Sequence, residues 1–248
     1  MKETLVMIPG TLCNASLFHH QIKAFEPFCQ CVVADHSSAD DLKKVAQNIL
    51  RNVAGDFSVM GLSYGGIIAF ELWRQAPARM KRMILLNTTC KPPSEATRNM
   101  QQKLMDMAEQ GKFREITSGV LKDAMLHPGQ ATNQALRKLV LDMALNTGRE
   151  KFIHQIKSQL GRPDSTPDLP DIQCPVLLIT GREDKFCTPE IHEAMAGLIP
   201  HSTLHIVEHC GHLSTLEQPQ EVASLIANWW VSAGRNKEQS NKPDYAEK

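Results

Sequence analysis

Apolar runs of strand length alternate with amphipathic stretches over most of the chain, and this alternation sets the expected fold. In the amphipathic stretches, such as 41–54 and 222–229, apolar residues recur at the three- and four-residue spacing of a helix. Strands that alternate with helices pair in parallel, so we predict an α/β fold whose mostly parallel sheet has helices on both faces. The apolar runs predict about six strands, at 5–8, 31–34, 57–60, 80–86, 176–180 and 203–207.

The alternation stops between the fourth and fifth predicted strands. From 94 to 160 the apolar spacing is helical throughout, and prolines on either side stiffen the two connections. We therefore predict an α/β core formed by 1–93 and 170–233, with a helical cap formed by 94–169. The remaining stretch, 234–248, is polar and has no apolar face to bury, so we expect it to be disordered.

The charge balance argues against nucleic acid or membrane partners. Lysine and arginine together number 27, as do aspartate and glutamate, so no overall field would attract a polyanion or an anionic membrane. The start of the chain lacks the basic and apolar regions of a signal peptide, and no apolar run approaches the length of a membrane span. We therefore expect a cytoplasmic protein that acts on a small molecule. The composition gives no indication of its oligomeric state.

The seven cysteines form no recognisable framework. Their number is odd, they are scattered along the chain, and none belongs to a C-x-x-C pair. Free, reduced thiols therefore fit better than a set of disulfides or a zinc site.

The segment from Gly61 to Gly65 reads G-x-S-x-G and stands between a predicted strand and a helical stretch. A sharp turn in this setting holds the central serine, Ser63, in a strained backbone conformation at the strand end. A side chain two positions before or after the serine would collide with neighbouring backbone, and glycine avoids both collisions. The motif makes Ser63 a candidate nucleophile, and a glycine-rich turn without chemistry is the plain alternative.

A serine hydroxyl needs a base within hydrogen-bonding reach and a third group that orients the base. Two later loops offer these groups, because Asp184 and His212 each follow a predicted strand, where open α/β sheets place their ligands. The chain order of serine, aspartate and histidine is the one expected for a nucleophile in this kind of turn. Glu183 and His209 stand nearby as an alternative acid and an alternative base.

With these motifs in place, the chain resembles the α/β-hydrolase superfamily from residue 5 to about residue 230, nearly its full length. Within that superfamily it is most similar to small bacterial esterase-type members, including carboxylesterases and oxoadipate enol-lactonases. The resemblance implies an α/β-hydrolase fold with a helical cap over the active site, and a reaction without metal or organic cofactor. The matching segments are Ile8 to Leu12, the serine turn, Gly181 to Asp184 with Thr188 and Pro189, and Gly211 to Leu213 with Glu217 to Pro219.

The resemblance also ranks the alternatives. His212 matches the family position, whereas His209 would still lie at the end of its strand. Asp184 likewise matches, and Glu183 is expected to face solvent or to pair with Arg182. The resemblance therefore implies a triad in which the serine attacks, His212 moves the proton and Asp184 orients the histidine.

Acyl transfer passes through a tetrahedral oxyanion, whose charge needs preorganised N–H donors. The residue after the nucleophile supplies one of them, here the amide of Tyr64. By the resemblance, the second donor is the amide of Thr11, with Leu12 as the alternative if the loop is shifted. The family usually has a histidine where this chain has Pro9, so a side chain that often supports the loop is missing. The placement of the second donor is therefore open.

Candidate substrate-pocket residues come from the cap and from the loop after the first strand. Methionines of the cap could form an adaptable acyl pocket, although methionines at helical spacing more often pack a core. Arg162 could bind a substrate carboxylate through its two-pronged guanidinium. The alternative, which we favour, is that Arg162 pairs with Asp164 or with the cap and fixes the hinge. The candidates are Leu12, Met105, Met125, Met143 and Arg162.

The sequence therefore predicts a serine hydrolase that cleaves a small carboxylic ester, or a related activated acyl substrate, through an acyl-enzyme intermediate. A lactonase, thioesterase, acyltransferase or carbon–carbon bond hydrolase would use the same triad, so these reactions stay open. A ligand-binding receptor without turnover on the same scaffold is the alternative from another class. Dehalogenases and epoxide hydrolases are disfavoured, because they use a carboxylate at the position of Ser63.

Overall fold

The computed structural model describes residues 2–120 and 122–240, with only the backbone described at 120, 122–123 and 234–240. In this part of the chain the strands are β1 (Glu3–Ile8), β2 (Cys29–Val33), β3 (Phe57–Leu62), β4 (Met80–Leu86), β5 (Val176–Gly181) and β6 (Ser202–Val207). They form one sheet in the order β2-β1-β3-β4-β5-β6, and every neighbouring pair is parallel. The predicted parallel α/β sheet is therefore confirmed.

Helices cover both faces of this sheet. Side chains that alternate along a strand point to opposite faces, so Val6 and Ile8 enter one core cluster while Leu5 and Met7 enter another. Strands β3 and β5 are buried at every residue, as expected for strands covered on both sides. The helices are α1 (His19–Phe25), α2 (Leu42–Asn52), α3 (Tyr64–Gln75), α4 (Glu95–Glu109), α5 (Phe113–Glu115), α6 (Lys122–Met125), α7 (Gln134–Thr147), α8 (Arg149–Leu160), α9 (Pro189–Ala196), α10 (Ser214–Glu217) and α11 (Pro219–Ser240).

The segment predicted as a cap, residues 94–169, is the helical insertion between β4 and β5. It contains helices α4 to α8 and a π-helical turn at Ile116–Val120. Ser94 begins the insertion as a helix cap, because its side chain accepts a hydrogen bond from the amide of Thr97. The insertion packs on an apolar cluster of its own. Its buried members are Leu104, Met105, Ala108, Ile116, Ala144, Phe152 and Ile156, joined by Leu12 from the loop after β1.

The last helix differs from the prediction. Helix α11 continues through Ser240, so residues 234–240 are helical where the polar composition predicted disorder. Its first turns pack Val222 and Ile226 into the core. The polar stretch that follows contains Arg, Lys, Glu and Gln, which favour a helix, and it prolongs a helix already nucleated. Residues 241–248 lie outside the described part of the chain. None of the described helices is both long and apolar enough to cross a membrane.

Candidate active site

Ser63 stands at the junction of β3 and α3, in the sharp turn that the glycine pattern predicted. Its backbone is strained, with φ 55° and ψ −114°, and its amide donates to the carbonyl of Leu86 at 2.9 Å. A side chain on Gly61 would collide with the backbone of Gly65, and one on Gly65 would collide with the carbonyl of Ile8. The two glycines therefore allow strand, turn and helix to approach closely enough to hold the serine at the strand end.

The structure brings Ser63, Asp184 and His212 into one chain of hydrogen bonds, which we call the candidate triad. His212 Nε2 lies 2.9 Å from Ser63 Oγ, and His212 Nδ1 lies 2.8 Å from Asp184 Oδ2. The three residues follow β3, β5 and β6, whose carboxyl ends lie at the same edge of the sheet because the strands are parallel. Ser63 and His212 also border a cavity, so a small molecule can be placed beside the serine.

Asp184 is held as a carboxylate by its surroundings. Its Oδ1 accepts hydrogen bonds from the amides of Phe186 and Cys187 at 2.8 and 3.0 Å, and its Oδ2 accepts one from Asn87 Nδ2 at 3.0 Å. Burial by itself raises the pKa of Asp184, but the adjacent His212 and these hydrogen bonds outweigh it and lower the pKa to about 2. The ionised carboxylate keeps the histidine proton on Nδ1, so Nε2 is free to accept the serine proton.

The loop that carries His212 is fastened to the helical insertion. The amide of His212 donates to the carbonyl of Met125 at 2.8 Å, and the Glu217 carboxylate accepts from the amide of His127 at 2.6 Å. A Cβ on Gly211 would lie 2.6 Å from His127 N, so only glycine fits between the loop and the insertion. Backbone atoms of the insertion therefore help to position the histidine.

The alternative acid and the alternative base lie outside the candidate triad. Glu183 is half-buried and accepts from the amide of Cys210 at 2.9 Å. Its expected partner, Arg182, pairs with Glu208 at 2.7 Å instead, so the predicted pairing of Arg182 with Glu183 is wrong. His209 is exposed in the turn after β6 with φ 52°. Neither alternative makes a described hydrogen bond to the serine.

At two places in the described chain, three side chains hold atoms that could bind a metal ion, and at each place these three atoms lie within 4.8 Å of one another. One group coincides with the candidate triad and adds Cys187, and the other consists of His127, Glu183 and His209. His127 Nδ1 accepts a hydrogen bond from Gly129 N at 2.9 Å, which leaves the ring proton on Nε2, the atom that faces Glu183. A ligating nitrogen must be free of its proton, so this tautomer opposes metal binding. We assign neither group as a metal centre.

The two predicted oxyanion donors flank Ser63. Tyr64 begins α3, at the end of the helix where the dipole favours negative charge. Thr11 follows a glycine so close to the serine that a Cβ there would lie 3.3 Å from Ser63 Cβ. Neither the Thr11 nor the Tyr64 amide donates a hydrogen bond to another residue in the described chain. The Leu12 amide donates to Gln155 Oε1 at 3.0 Å, so this alternative donor is already engaged.

A cavity of about 390 Å³ opens beside the candidate triad, between the α/β core and the helical insertion. Of the predicted pocket residues, the structure places Met125 and Arg162 on its wall. Most of the wall is apolar, which suits an acyl chain. Its apolar members include Ile67, Met100, Leu104, Phe152, Ile156 and Phe186.

Three predicted pocket residues lie elsewhere. Leu12 and Met105 are buried in the apolar cluster of the insertion, and Met143 is buried in a cluster shared with the core. The prediction for these three residues was wrong. For the two methionines, helical periodicity identifies apolar positions without showing which neighbour they face. Leu12 follows the predicted oxyanion donor in the loop, but its side chain packs into the insertion. On α4, Met100 and Leu104 lie one turn apart on the cavity wall, whereas Met105, one position further, is not part of it.

Arg162 is only 8% exposed, and its guanidinium is anchored to backbone. Its Nε and Nη1 donate to the carbonyls of Lys91 and Gln159 at 2.9 and 3.2 Å. Asp164 accepts instead from Thr166, so the expected pairing of Arg162 with Asp164 is wrong, although Arg162 does fasten the end of the insertion. In the described part of the chain no carboxylate pairs with this guanidinium. Burial lowers the pKa of Arg162 to about 10, so it stays charged at neutral pH.

Four buried polar residues near the site were missed from the sequence. Gln155, Ser158 and Gln159 share one face of α8, since residues three and four apart lie together on a helix. Polar residues at that spacing inside an apolar stripe were the available signal. Asn87, which donates to Asp184, gave no signal beyond its place directly after a strand.

Comparison with known proteins identifies the family of the chain. The model of the alpha/beta hydrolase family matches residues 5–225. The pimeloyl-[acyl-carrier protein] methyl ester esterase of Nitrosomonas europaea is 25% identical over 195 residues, which cover 75% of this chain and 76% of that protein. The 2-hydroxy-6-oxononadienedioate/2-hydroxy-6-oxononatrienedioate hydrolase of Paraburkholderia phymatum is 23% identical over 253 residues, covering 92% of this chain and 87% of that protein.

Solved structures show the same fold. The malate-bound structure of a thermophilic esterase from Thermogutta terrifontis superposes with a TM-score of 0.84 at 22% identity, covering 94% of this chain and 92% of that chain. The family match extends over most of the sequence and includes strands β2 to β6, residues 5–8 of β1 and the three candidate triad residues. The chain belongs to the alpha/beta hydrolase family, and it is an enzyme of that family.

Proposed function

We propose that the protein is a serine hydrolase that cleaves a small carboxylic ester through an acyl-enzyme intermediate on Ser63. The observation that carries the proposal is the continuous chain of hydrogen bonds from Ser63 through His212 to Asp184, beside a cavity. The esterase assignment takes further support from the relative in Nitrosomonas europaea, which its name describes as a methyl ester esterase. Lactones, thioesters, acyl transfer and carbon–carbon bond cleavage use the same geometry and serve as comparison reactions.

The reaction begins when Ser63 Oγ attacks the ester carbonyl carbon and its proton passes to His212 Nε2. Asp184 stabilises the resulting imidazolium, and the amides of Thr11 and Tyr64 donate to the oxyanion, each contributing roughly 3 kcal/mol. His212 then protonates the leaving oxygen as the carbon–oxygen bond breaks, which releases the alcohol and leaves the acyl group on the serine. Water attacks this acyl-enzyme while His212 takes one of its protons. His212 returns that proton to Ser63 Oγ as the bond from the acyl carbon to the serine breaks and the acid leaves.

The test uses p-nitrophenyl esters of increasing acyl length beside lactones and thioesters. We expect turnover of short esters, and an intact-mass increase equal to one acyl group on the wild type and not on Ser63→Ala. A fluorophosphonate probe should label the wild type and leave Ser63→Ala unlabelled. Ester turnover by Ser63→Ala above about a hundredth of the wild-type rate would refute the assignment, because triad substitutions elsewhere cost far more.

We also propose that the preferred acyl group carries a carboxylate at the end remote from the ester. Arg162 supports this proposal, because it is charged, lines the cavity, and has no carboxylate partner in the described chain. Its Nη2 makes no described hydrogen bond, so this N–H group is available to a substrate carboxylate. Lys91 lines the same region of the wall. The name of the Paraburkholderia phymatum relative describes dioate substrates.

This substrate class is tested with a monomethyl ester of a dicarboxylic acid and the methyl ester of a monocarboxylic acid of equal length. Arg162→Met should lower kcat/KM for the acidic ester by about tenfold or more, the range of a charge-assisted hydrogen bond, and leave the neutral ester within about twofold. Arg98→Met is the matched control, since Arg98 donates to the Leu160 carbonyl and does not line the cavity. Equal losses on both esters would show that Arg162 only fastens the hinge.

A further inference from the structure

Leu12 lies in the loop after β1 but packs inside the helical insertion. Its backbone is in the left-handed region, with φ 61°, which strains any residue other than glycine. Its buried side chain is the sole member of the insertion's apolar cluster that comes from outside 94–169 in the described chain. A strained conformation persists only when its surroundings hold it. The helical insertion therefore takes part in holding this loop.

Two glutamines of α8, one turn apart, bind two consecutive residues of the loop. Gln155 Oε1 accepts the amide proton of Leu12 at 3.0 Å. Gln159 Nε2 donates to Thr11 Oγ1 at 2.9 Å. Because positions i and i+4 lie on one helix face, a single rigid element fixes both residues. The unengaged amide between them, that of Thr11, is the predicted oxyanion donor.

The orientation of Gln155 is itself fixed. The Leu12 amide requires an acceptor, which turns Oε1 toward the loop and Nε2 toward Ser37 Oγ and His36 Nε2, at 2.9 and 3.0 Å. Burial lowers the pKa of His36 to about 4, so its ring is neutral at physiological pH. Its Nε2 also lies 3.1 Å from the Gly10 carbonyl, which requires a donor, so we assign Ser37 Oγ as the acceptor for Gln155 Nε2. Gln155 is 0% exposed and all its polar atoms have partners, so it has one orientation.

The same face of α8 reaches the other half of the oxyanion site. Tyr64 OH donates to Ser158 Oγ at 2.7 Å, and both residues are buried. Tyr64 is the residue whose amide is the other predicted donor. One face of α8 thus contacts Leu12, Thr11 and Tyr64, and the last two are the residues whose amides are the predicted oxyanion donors.

We propose that α8 positions the oxyanion loop, with Gln155 and Gln159 as positioning residues that place the Thr11 amide where the oxyanion develops. The inference rests on the proposed function, because it concerns the transition state of acyl transfer. The chain has Pro9 where a histidine often supports this loop, and α8 supplies the support from the insertion. The insertion is then part of the catalytic scaffold as well as the wall of the substrate cavity.

Gln155→Met tests the inference, because methionine keeps the length and removes the acceptor. Displacing an oxyanion donor lowers kcat and leaves ground-state binding intact, so we expect kcat to fall by about tenfold or more with KM changed by less than about twofold. A boronic acid, which forms a tetrahedral adduct on the serine, should bind weaker by a similar factor. Gln75→Met is the matched control, since Gln75 also bonds through its amide but lies at the far end of α3.

Thr11→Val, Gln159→Met and the double variant form an independent test. If Gln159 acts through the Thr11 side chain, each single change lowers kcat by a similar factor and the double variant loses little more. Additive losses would overturn this part of the inference, because they would mean that Gln159 acts on the substrate. The comparison of these three variants tests the role of Gln159 even if Gln155→Met fails to fold.

The proposed function and the inference about α8 are contradicted by different results. If a fluorophosphonate does not label wild-type Ser63, the proposed function fails. If the wild type is labelled and folded Gln155→Met keeps kcat within about twofold, the α8 inference alone is overturned, because loss of a donor elsewhere costs far more.

Discussion

The α/β core and the helical insertion place their buried polar groups in different ways. In the core, Asp184, His212 and Asn87 lie in loops just past strand ends and bind one another. In the insertion, Gln155, Ser158 and Gln159 are buried on one helix, α8, and each binds a residue of the core. Gln155 and Leu12, for example, are 143 residues apart in sequence. Chemistry at strand ends can therefore be found from local motifs, whereas its support from the insertion depends on long-range packing.

The largest effect expected from this comparison is at the core histidine. His212→Ala should lower kcat by a factor on the order of a thousand or more, because it removes the base of the candidate triad. His209→Ala, the same change three positions earlier, should leave kcat within about twofold, since His209 is exposed and outside the triad. The two variants are compared by ester turnover and fluorophosphonate labelling. Equal losses of kcat in the two variants would identify His209 as a functional group and would contradict the assignment of His212 as the base.

Within the insertion, two methionines give a matched pair with different expected outcomes. Met143 is 1% exposed and packs in a core cluster, so Met143→Ala should lower the free energy of unfolding by about 2–5 kcal/mol without changing acyl preference. Met125 lines the cavity, so Met125→Ala should alter the ratio of kcat/KM for long and short acyl esters by about threefold or more. Urea unfolding and a chain-length series measure the two effects. A changed ratio of kcat/KM for long and short esters in Met143→Ala would mean that Met143 lines the acyl pocket.

Asp184, whose carboxylate pairs with His212, should contribute to a loss of stability in acid. The pKa of Asp184 is about 2 in the folded protein against an ordinary value of 3.8, so its contribution to stability is present above pH 3.8 and disappears as the pH falls through 2. Between about pH 5 and about pH 3 this loss amounts to about 1 kcal/mol. Asp184→Asn should therefore lose less unfolding free energy over that interval than the wild type, as measured by urea unfolding. An identical loss in both proteins would mean that Asp184 is not preferentially ionised in the fold.

The smallest expected effect concerns thiol reactivity. Burial raises the pKa of Cys13 to about 12 and that of Cys187, on the cavity wall, well above its usual value. Iodoacetamide at neutral pH should therefore leave both thiols unmodified in the native protein and modify them in urea, as read by peptide mass spectrometry. Rapid native labelling of Cys187 alone would indicate that the insertion opens away from the core.

Much of the core could be predicted because its signals are local. All six strands lie within two residues of their predicted ends, and the serine turn follows from its two glycines. The pocket methionines could not be assigned, since apolar periodicity does not distinguish a cavity wall from a packed core. Arg162 was expected to pair with Asp164 or with the cap, and it binds the carbonyls of Lys91 and of Gln159, which belongs to the cap. Such carbonyl partners come from the folded chain and carry no residue type that a sequence reveals.

The hydrogen bond from the His212 amide to the Met125 carbonyl gives the molecule an internal reporter. This amide belongs to the loop after β6, yet its protection from deuterium exchange depends on contact with the insertion. It can exchange only when the insertion separates from the loop, so its exchange rate measures the free energy of that opening. The same separation removes a backbone support of the histidine. The exchange rate of one amide would thus give the fraction of time during which the candidate active site is disassembled.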